Sequence, residues 1–151
     1  MSSVLAIDPG TTHSGWVLFR NGAPWNSGVM ENSEVSTMLR GTSIIPVAIE
    51  MLASYGMAVG KEVFETCVWI GRFIEAAGQD RVRLVYRKDV KLHLCGSPRA
   101  KDANIRQALI DKWGGKAVAV GNSKKPGPLY GVKSHAWAAL GVAVTALETK
   151  Q

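Results

Sequence analysis

Three β-rich runs follow one another within residues 3–30, separated only by turns. Residues 3–8 (SVLAID) are an apolar run that ends in a carboxylate. Residues 15–19 (GWVLF) lead into Arg20-Asn21-Gly22, and residues 25–30 (WNSGVM) make the third run. Asn-Gly is a strong hairpin signal, because both turn positions tolerate positive φ. The spacing predicts an antiparallel meander. After it, helix and strand alternate. Residues 33–40 read as a short helix with Ser33 as its N-cap. Residues 44–49 (IIPVAI) read as an apolar strand ending in Glu50, with Pro46 marking a bulge or a strand start. Residues 58–76 carry Val59, Val63, Phe64, Val68, Ile70, Phe73 and Ile74 at helical spacing, and Gly78 supplies the stop. Residues 82–86 are a fifth strand and residues 90–94 a helical turn. A helix over 101–113 stops at Gly114-Gly115, residues 122–131 form a basic Pro/Gly loop, and a largely apolar helix covers 134–147.

This order predicts an α/β fold: a mixed five-stranded sheet, three strands in an antiparallel meander plus two parallel strands, with helices on both faces. No linker divides the chain, so residues 1–151 are expected to form a single domain, large enough to bury a core without staples. No apolar run approaches the roughly 18 residues of a membrane span. The opening MSSVLAIDPG has neither the basic segment nor the apolar run of a secretory leader. Cys67 and Cys95 form no C-x-x-C pair, which argues against a structural zinc site or a disulfide framework. The expectation is a cytoplasmic protein, bacterial or from a phage-infected host.

Charge is unevenly placed. Residues 1–78 hold 4 Lys/Arg and 7 Asp/Glu, a net of −3, whereas residues 79–133 hold 13 Lys/Arg and 4 Asp/Glu, a net of +9. A basic stretch of this density suits a polyanionic partner, although a solvated surface would look similar. The acids stand out in the other half. Asp8 ends one apolar strand and Glu50 ends another. A carboxylate at the end of a buried strand is costly to desolvate unless something pairs with it. If the two strands are neighbours, the carboxylates lie side by side and either share a proton or bind a hard metal ion.

The stretch LAIDPGTTHSGWVLF, the strand-terminal Glu50 and the segment VKLHLCGSPRAKDANIRQALIDKWGG resemble RuvC-type Holliday junction resolvases. The phage and prophage branch of that family is the nearest match, and the family belongs to the RNase H-like nuclease superfamily. The resemblance spans nearly the whole chain. It implies an RNase H-like fold and a structure-selective endonuclease. Four-way DNA junctions would be its substrate and Mg2+, with Mn2+ as a substitute, its cofactor. A homodimer would nick two opposed strands and leave 5′-phosphate and 3′-hydroxyl ends. Asp8 and Glu50 fall on the family's metal-ligating acids. The last helix of the family supplies an acid or His followed three residues later by Asp; here those positions are His135, which matches, and Ala138, which does not. Asp102 is the favoured substitute for the missing acid, although it would serve equally as a helix N-cap. His135 suits either a ligand or a general acid/base. Thr12, Arg87, Lys88, Lys91, Arg99, Lys101, Arg106, Lys124, Lys125 and Lys133 make up the implied DNA-binding set, and Lys91 or Lys101 could also steady charge on the scissile phosphate. His13 reads as a first-turn residue near the cleft and His93 as a surface residue. Tyr55 and Met57, in the apolar loop after Glu50, read as dimer or core contacts or as a wedge against unstacked bases.

Two other readings stay open: an RNase H-like RNA-processing nuclease, and a junction-binding protein whose catalysis is impaired by Ala138. The turn Asp8-Pro9-Gly10-Thr11-Thr12 also resembles the phosphate turn of sugar kinases and actin-like ATPases, but those need two lobes around a nucleotide, more than one domain of this length provides.

Overall fold

The computed structural model describes residues 3–42 and 44–150. Five strands form one sheet in the order β3-β2-β1-β4-β5. Strands β1 (Ser3–Asp8), β2 (His13–Arg20) and β3 (Ala23–Glu31) are the antiparallel meander, turned at Asn21 and Gly22, both with positive φ. Strands β4 (Val47–Met51) and β5 (Val82–Tyr86) add in parallel on the other side of β1. The helices are α1 (Asn32–Gly41), α2 (Lys61–Ala77), α3 (Arg87–Cys95), α4 (Asp102–Lys112), the short α5 (Lys116–Ala119) and α6 (Ala136–Glu148). This is the α/β, RNase H-like architecture expected from the order of elements. Among the described residues, no helix is long and apolar enough to cross a membrane.

Strand periodicity sorts the side chains into two cores. Leu5, Ile7, Val47 and Ile49 face α1 and α2, where they pack with Val35, Leu39, Ile70 and Phe73. Val4, Ala6, Val17, Phe19, Ala48 and Val85 face the opposite side, which is covered by α6 with α3 and α4 outside it. Helix α6 is buried on nearly every side, as its almost unbroken apolar sequence requires. Asp8 and Glu50 continue the Ala6 and Ala48 series, so both carboxylates point toward α6.

Several local expectations need correction. Helix α1 begins at Asn32, one residue before the expected Ser33 cap; Glu31 occupies the N-cap position without a side-chain capping bond, and the Asn32 side chain bonds to Ser14 and Gly10. Strand β4 starts after Pro46, whose carbonyl accepts from the N–H of Leu5; Ile44 is outside the strand and fully exposed. Helix α2 starts at Lys61 rather than 58 and ends where the Gly78 N–H donates to the Ile74 carbonyl. The turn expected at 90–94 is a full helix, α3, that starts directly at the end of β5. Lys101, not Asp102, is the N-cap of α4, and the Asn104 side chain accepts from the Lys101 N–H at 2.9 Å.

Two arginines of the basic stretch are structural. Arg81 donates to the carbonyls of Leu39, Thr42, Ile45 and Ala77, tying the end of α1 and the chain entering β4 to the end of α2. Arg83 donates to the carbonyls of Ala146 and Thr149 and clamps the last turn of α6 onto β5. Neither is free to meet a polyanion.

Candidate active site

The site forms where the parallel strands β1 and β4 end together. Ile7 pairs with Ile49, so the next residues, Asp8 and Glu50, sit side by side at one edge of the sheet. Their carboxyl groups lie close enough that the charge of Asp8 raises Glu50. Glu50 is only 4% exposed. Burial, then the Asp8 charge, pushes Glu50 up to about 8. Burial likewise raises Asp8 to about 6, although the Arg87 charge pulls against it. The pair therefore retains a proton at pH values where ordinary carboxylates have lost theirs.

His135, just before α6, places Nδ1 3.4 Å from Asp8 Oδ2 while most of its ring stays exposed. A cross-strand glycine makes that approach feasible. Gly15 is the partner of Asp8 on β2, and a Cβ there would stand 2.4 Å from the His135 carbonyl oxygen. The turn after Asp8 is braced from below by a buried relay. Ser14 Oγ donates to Asn32 Oδ1 at 2.6 Å, Asn32 Nδ2 donates to the Gly10 carbonyl at 2.9 Å, and the Gly10 N–H donates to Ser14 Oγ at 3.2 Å. The Asn32 N–H also donates to the Thr12 carbonyl at 2.9 Å. Sequence reasoning did not identify Asn32 or Ser14; the only signal was a polar pair flanking strands that pair in the meander.

Arg87 enters the same space. Its guanidinium lies 3.7 Å from Glu50 Oε1 and 2.5 Å from Asp102 Oδ1. As the first residue of α3, directly after β5, it turns its side chain onto these acids. Asp102 is brought to the rim of the site by this pair and is largely exposed. Ala138, on α6, lines the cleft together with Arg87, Asp102 and His135. His13 lines the neighbouring part of it beside Asp8. Thr12 is exposed, and its hydroxyl is 3.0 Å from His13 Nδ1.

The remaining basic residues lie around this edge or farther out. Lys88, Arg99, Lys101, Lys124, Lys125 and Lys133 are exposed, and Lys91 is half-buried. Lys88 sits over the Tyr55 ring at 5.4 Å and Arg106 over the Trp137 ring at 4.9 Å. The Asn122 side chain accepts from the N–H groups of Lys124 and Lys125, both at 2.9 Å, which fixes the late basic loop. Tyr55 and Met57 are exposed, 57% and 76%, so neither is a core contact. His93 is a surface residue bonded to Glu148 at 2.8 Å.

The donor set suits a hard divalent cation: two desolvated carboxylates that a cation could neutralise in place of the retained proton, with an imidazole nitrogen beside them. It is sparse, however. Among the described residues no three His, Cys, Asp or Glu side chains converge as a ready-made cage.

A scan against family models and a search of curated proteins both find no match. Solved structures do match. The Thermus thermophilus RuvC structure is 20% identical, with a TM-score of 0.65, covering 95% of this chain and 92% of its own. The same organism's RuvC in complex with a Holliday junction substrate is 21% identical, with a TM-score of 0.66, covering 96% and 92%. At this identity the similarity establishes a shared fold along nearly the full length of both chains.

Proposed function

We propose that this chain is a metal-dependent endonuclease that resolves four-way DNA junctions by phosphodiester hydrolysis. The observation that carries the reading is the buried Asp8–Glu50 pair at the shared end of β1 and β4, with His135 beside it. Its occurrence on the fold of RuvC, one structure of which holds a Holliday junction, supports the choice of substrate. The basic stretch and the segment around Lys91–Arg106 favour a resolvase over an RNA-processing nuclease, and the resemblance of the sequence is nearest to the phage and prophage branch.

Mg2+ or Mn2+, held by Asp8 and Glu50 with His135, would supply Lewis acidity toward the attacked phosphate. The protein does the rest. Burial of Asp8 and Glu50 keeps their affinity for positive charge high. His135 would pass a proton to or from the attacking water or the leaving oxygen. Lys88, Lys91, Arg99, Lys101, Lys124, Lys125 and Lys133 hold backbone phosphates, a contribution that weakens with salt. The exposed apolar stripe Phe64–Val68 on α2 supports a homodimer, in which each subunit nicks one of two opposed strands in the cytoplasm.

The test is nicking of a four-way junction with Mg2+ or Mn2+, using Asp8→Asn as control. Nicking by the wild type and its loss in the variant support the reading; activity that survives Asp8→Asn overturns the site. Equal cutting of duplex and junction DNA removes junction selectivity, and preference for structured RNA favours an RNA-processing nuclease.

A second reading rests on Ala138: a junction-binding protein with impaired catalysis. Its mark would be a gel shift on the junction without nicking, and a large gain in rate from Ala138→Asp.

A further inference from the structure

We infer that Arg87 is a built-in counter-cation of the acid pair, so that the site takes up one divalent ion per chain and not two. The inference rests on the reading of Asp8 and Glu50 as the cation site. Three placements carry it. The Arg87 guanidinium is held over the acids by two carboxylates, at 3.7 Å from Glu50 and 2.5 Å from Asp102. Ala138, the position on α6 facing the same cleft, contributes no carboxylate. And no third acid joins Asp8 and Glu50 in a common cage among the described residues.

Charge counting then limits occupancy. Ionised Asp8, Glu50 and Asp102 carry three negative charges, and Arg87, which does not lose its proton in proteins, carries one positive charge. The balance matches one divalent ion. A second ion would have to settle against a fixed guanidinium with no acid left to neutralise it, and in a partly desolvated cleft that repulsion is strong. Arg87 thus supplies, as a permanent part of the chain, the positive charge that a second ion would otherwise bring.

The experiment is a Mn2+ titration of the full chain without DNA, read by electron paramagnetic resonance and calorimetry. The wild type is expected to bind one Mn2+. Arg87→Lys keeps the charge and should keep that stoichiometry. Arg87→Met should tighten binding of the ion by at least about tenfold, as the loss of a nearby like charge predicts. Arg87→Met combined with Ala138→Asp should admit a second ion. Two ions bound by the wild type, none bound, or an affinity unchanged by Arg87→Met each overturn the inference. The wild-type count is informative even if a variant fails to fold. One bound Mn2+ without any junction nicking refutes the nuclease reading alone; nicking with two bound ions refutes the role of Arg87 alone.

Discussion

Gly15 is both the cross-strand partner of Asp8 and the residue on which the backbone of His135 rests. An added Cβ would lie 2.4 Å from the His135 carbonyl oxygen and 2.9 Å from its Cβ. The missing side chain lets the start of α6 come down to the carboxylate. Gly15→Ala must therefore push α6 away or strain β2. The expected result is a loss of about 1–3 kcal/mol in urea denaturation. Junction nicking should fall further than folding alone explains, since His135 would move from Asp8. A variant of wild-type stability and activity would show that α6 can retreat without consequence.

The acid pair makes the metal-free fold sensitive to alkali. Glu50 is raised to about 8 and Asp8 to about 6, both above their unfolded values near 4. Between those limits the native chain holds protons that the unfolded chain has released, so stability falls as pH rises through the window and levels off above it. In a chelator, Glu50→Gln should be more stable than the wild type by on the order of 2 kcal/mol near pH 8.5 and little different near pH 4.5. Chemical denaturation at both pH values checks this; a wild-type profile that is flat across the window would contradict it.

The Ser14–Asn32–Gly10 relay is buried and complete, so removing one member strands the others. Asn32→Leu should cost about 2–4 kcal/mol, and Ser14→Ala about 1–3 kcal/mol. With the turn after Asp8 unbraced, Asn32→Leu should also weaken Mn2+ binding. Melting with and without Mn2+ separates the two effects: a smaller Mn2+-induced shift in Tm than in the wild type is the expected sign.

The basic residues should split into two classes. Arg81→Met removes donors from four backbone carbonyls and should destabilise the fold by about 2–4 kcal/mol, while the salt dependence of junction binding stays the same. Lys124→Ala with Lys125→Ala should leave stability within about 0.5 kcal/mol and reduce the salt slope of junction binding by about 1–2. Filter binding at several salt concentrations decides between them.

The order of elements was legible because turns, glycine stops and apolar periodicity are local. So were Asp8 and Glu50, each marked by an acid closing an apolar strand. The orientation of Arg87 was not. Its partners Glu50 and Asp102 lie far from it along the chain, and a run of basic residues gives no hint of which one turns inward. Arg81 and Arg83 were hidden in the same way, since their acceptors are carbonyls exposed only after the helices have docked. Asn32 was overshadowed by Ser33, an equally good cap by composition, because the competing bond to Gly10 exists only once the meander has formed.

The alternation that places Asp8 after Ala6 and Glu50 after Ala48 also makes the site a check on strand alignment. A slip of one residue in β1 or β4 would turn a carboxylate toward the apolar core of Phe73 and Ile70. Such a misaligned sheet would carry a buried charge and would not mature. The two acids are unfavourable to the native fold in isolation, but still more unfavourable to its nearest competitors. A chain that has folded at all has thereby already brought its two acids together.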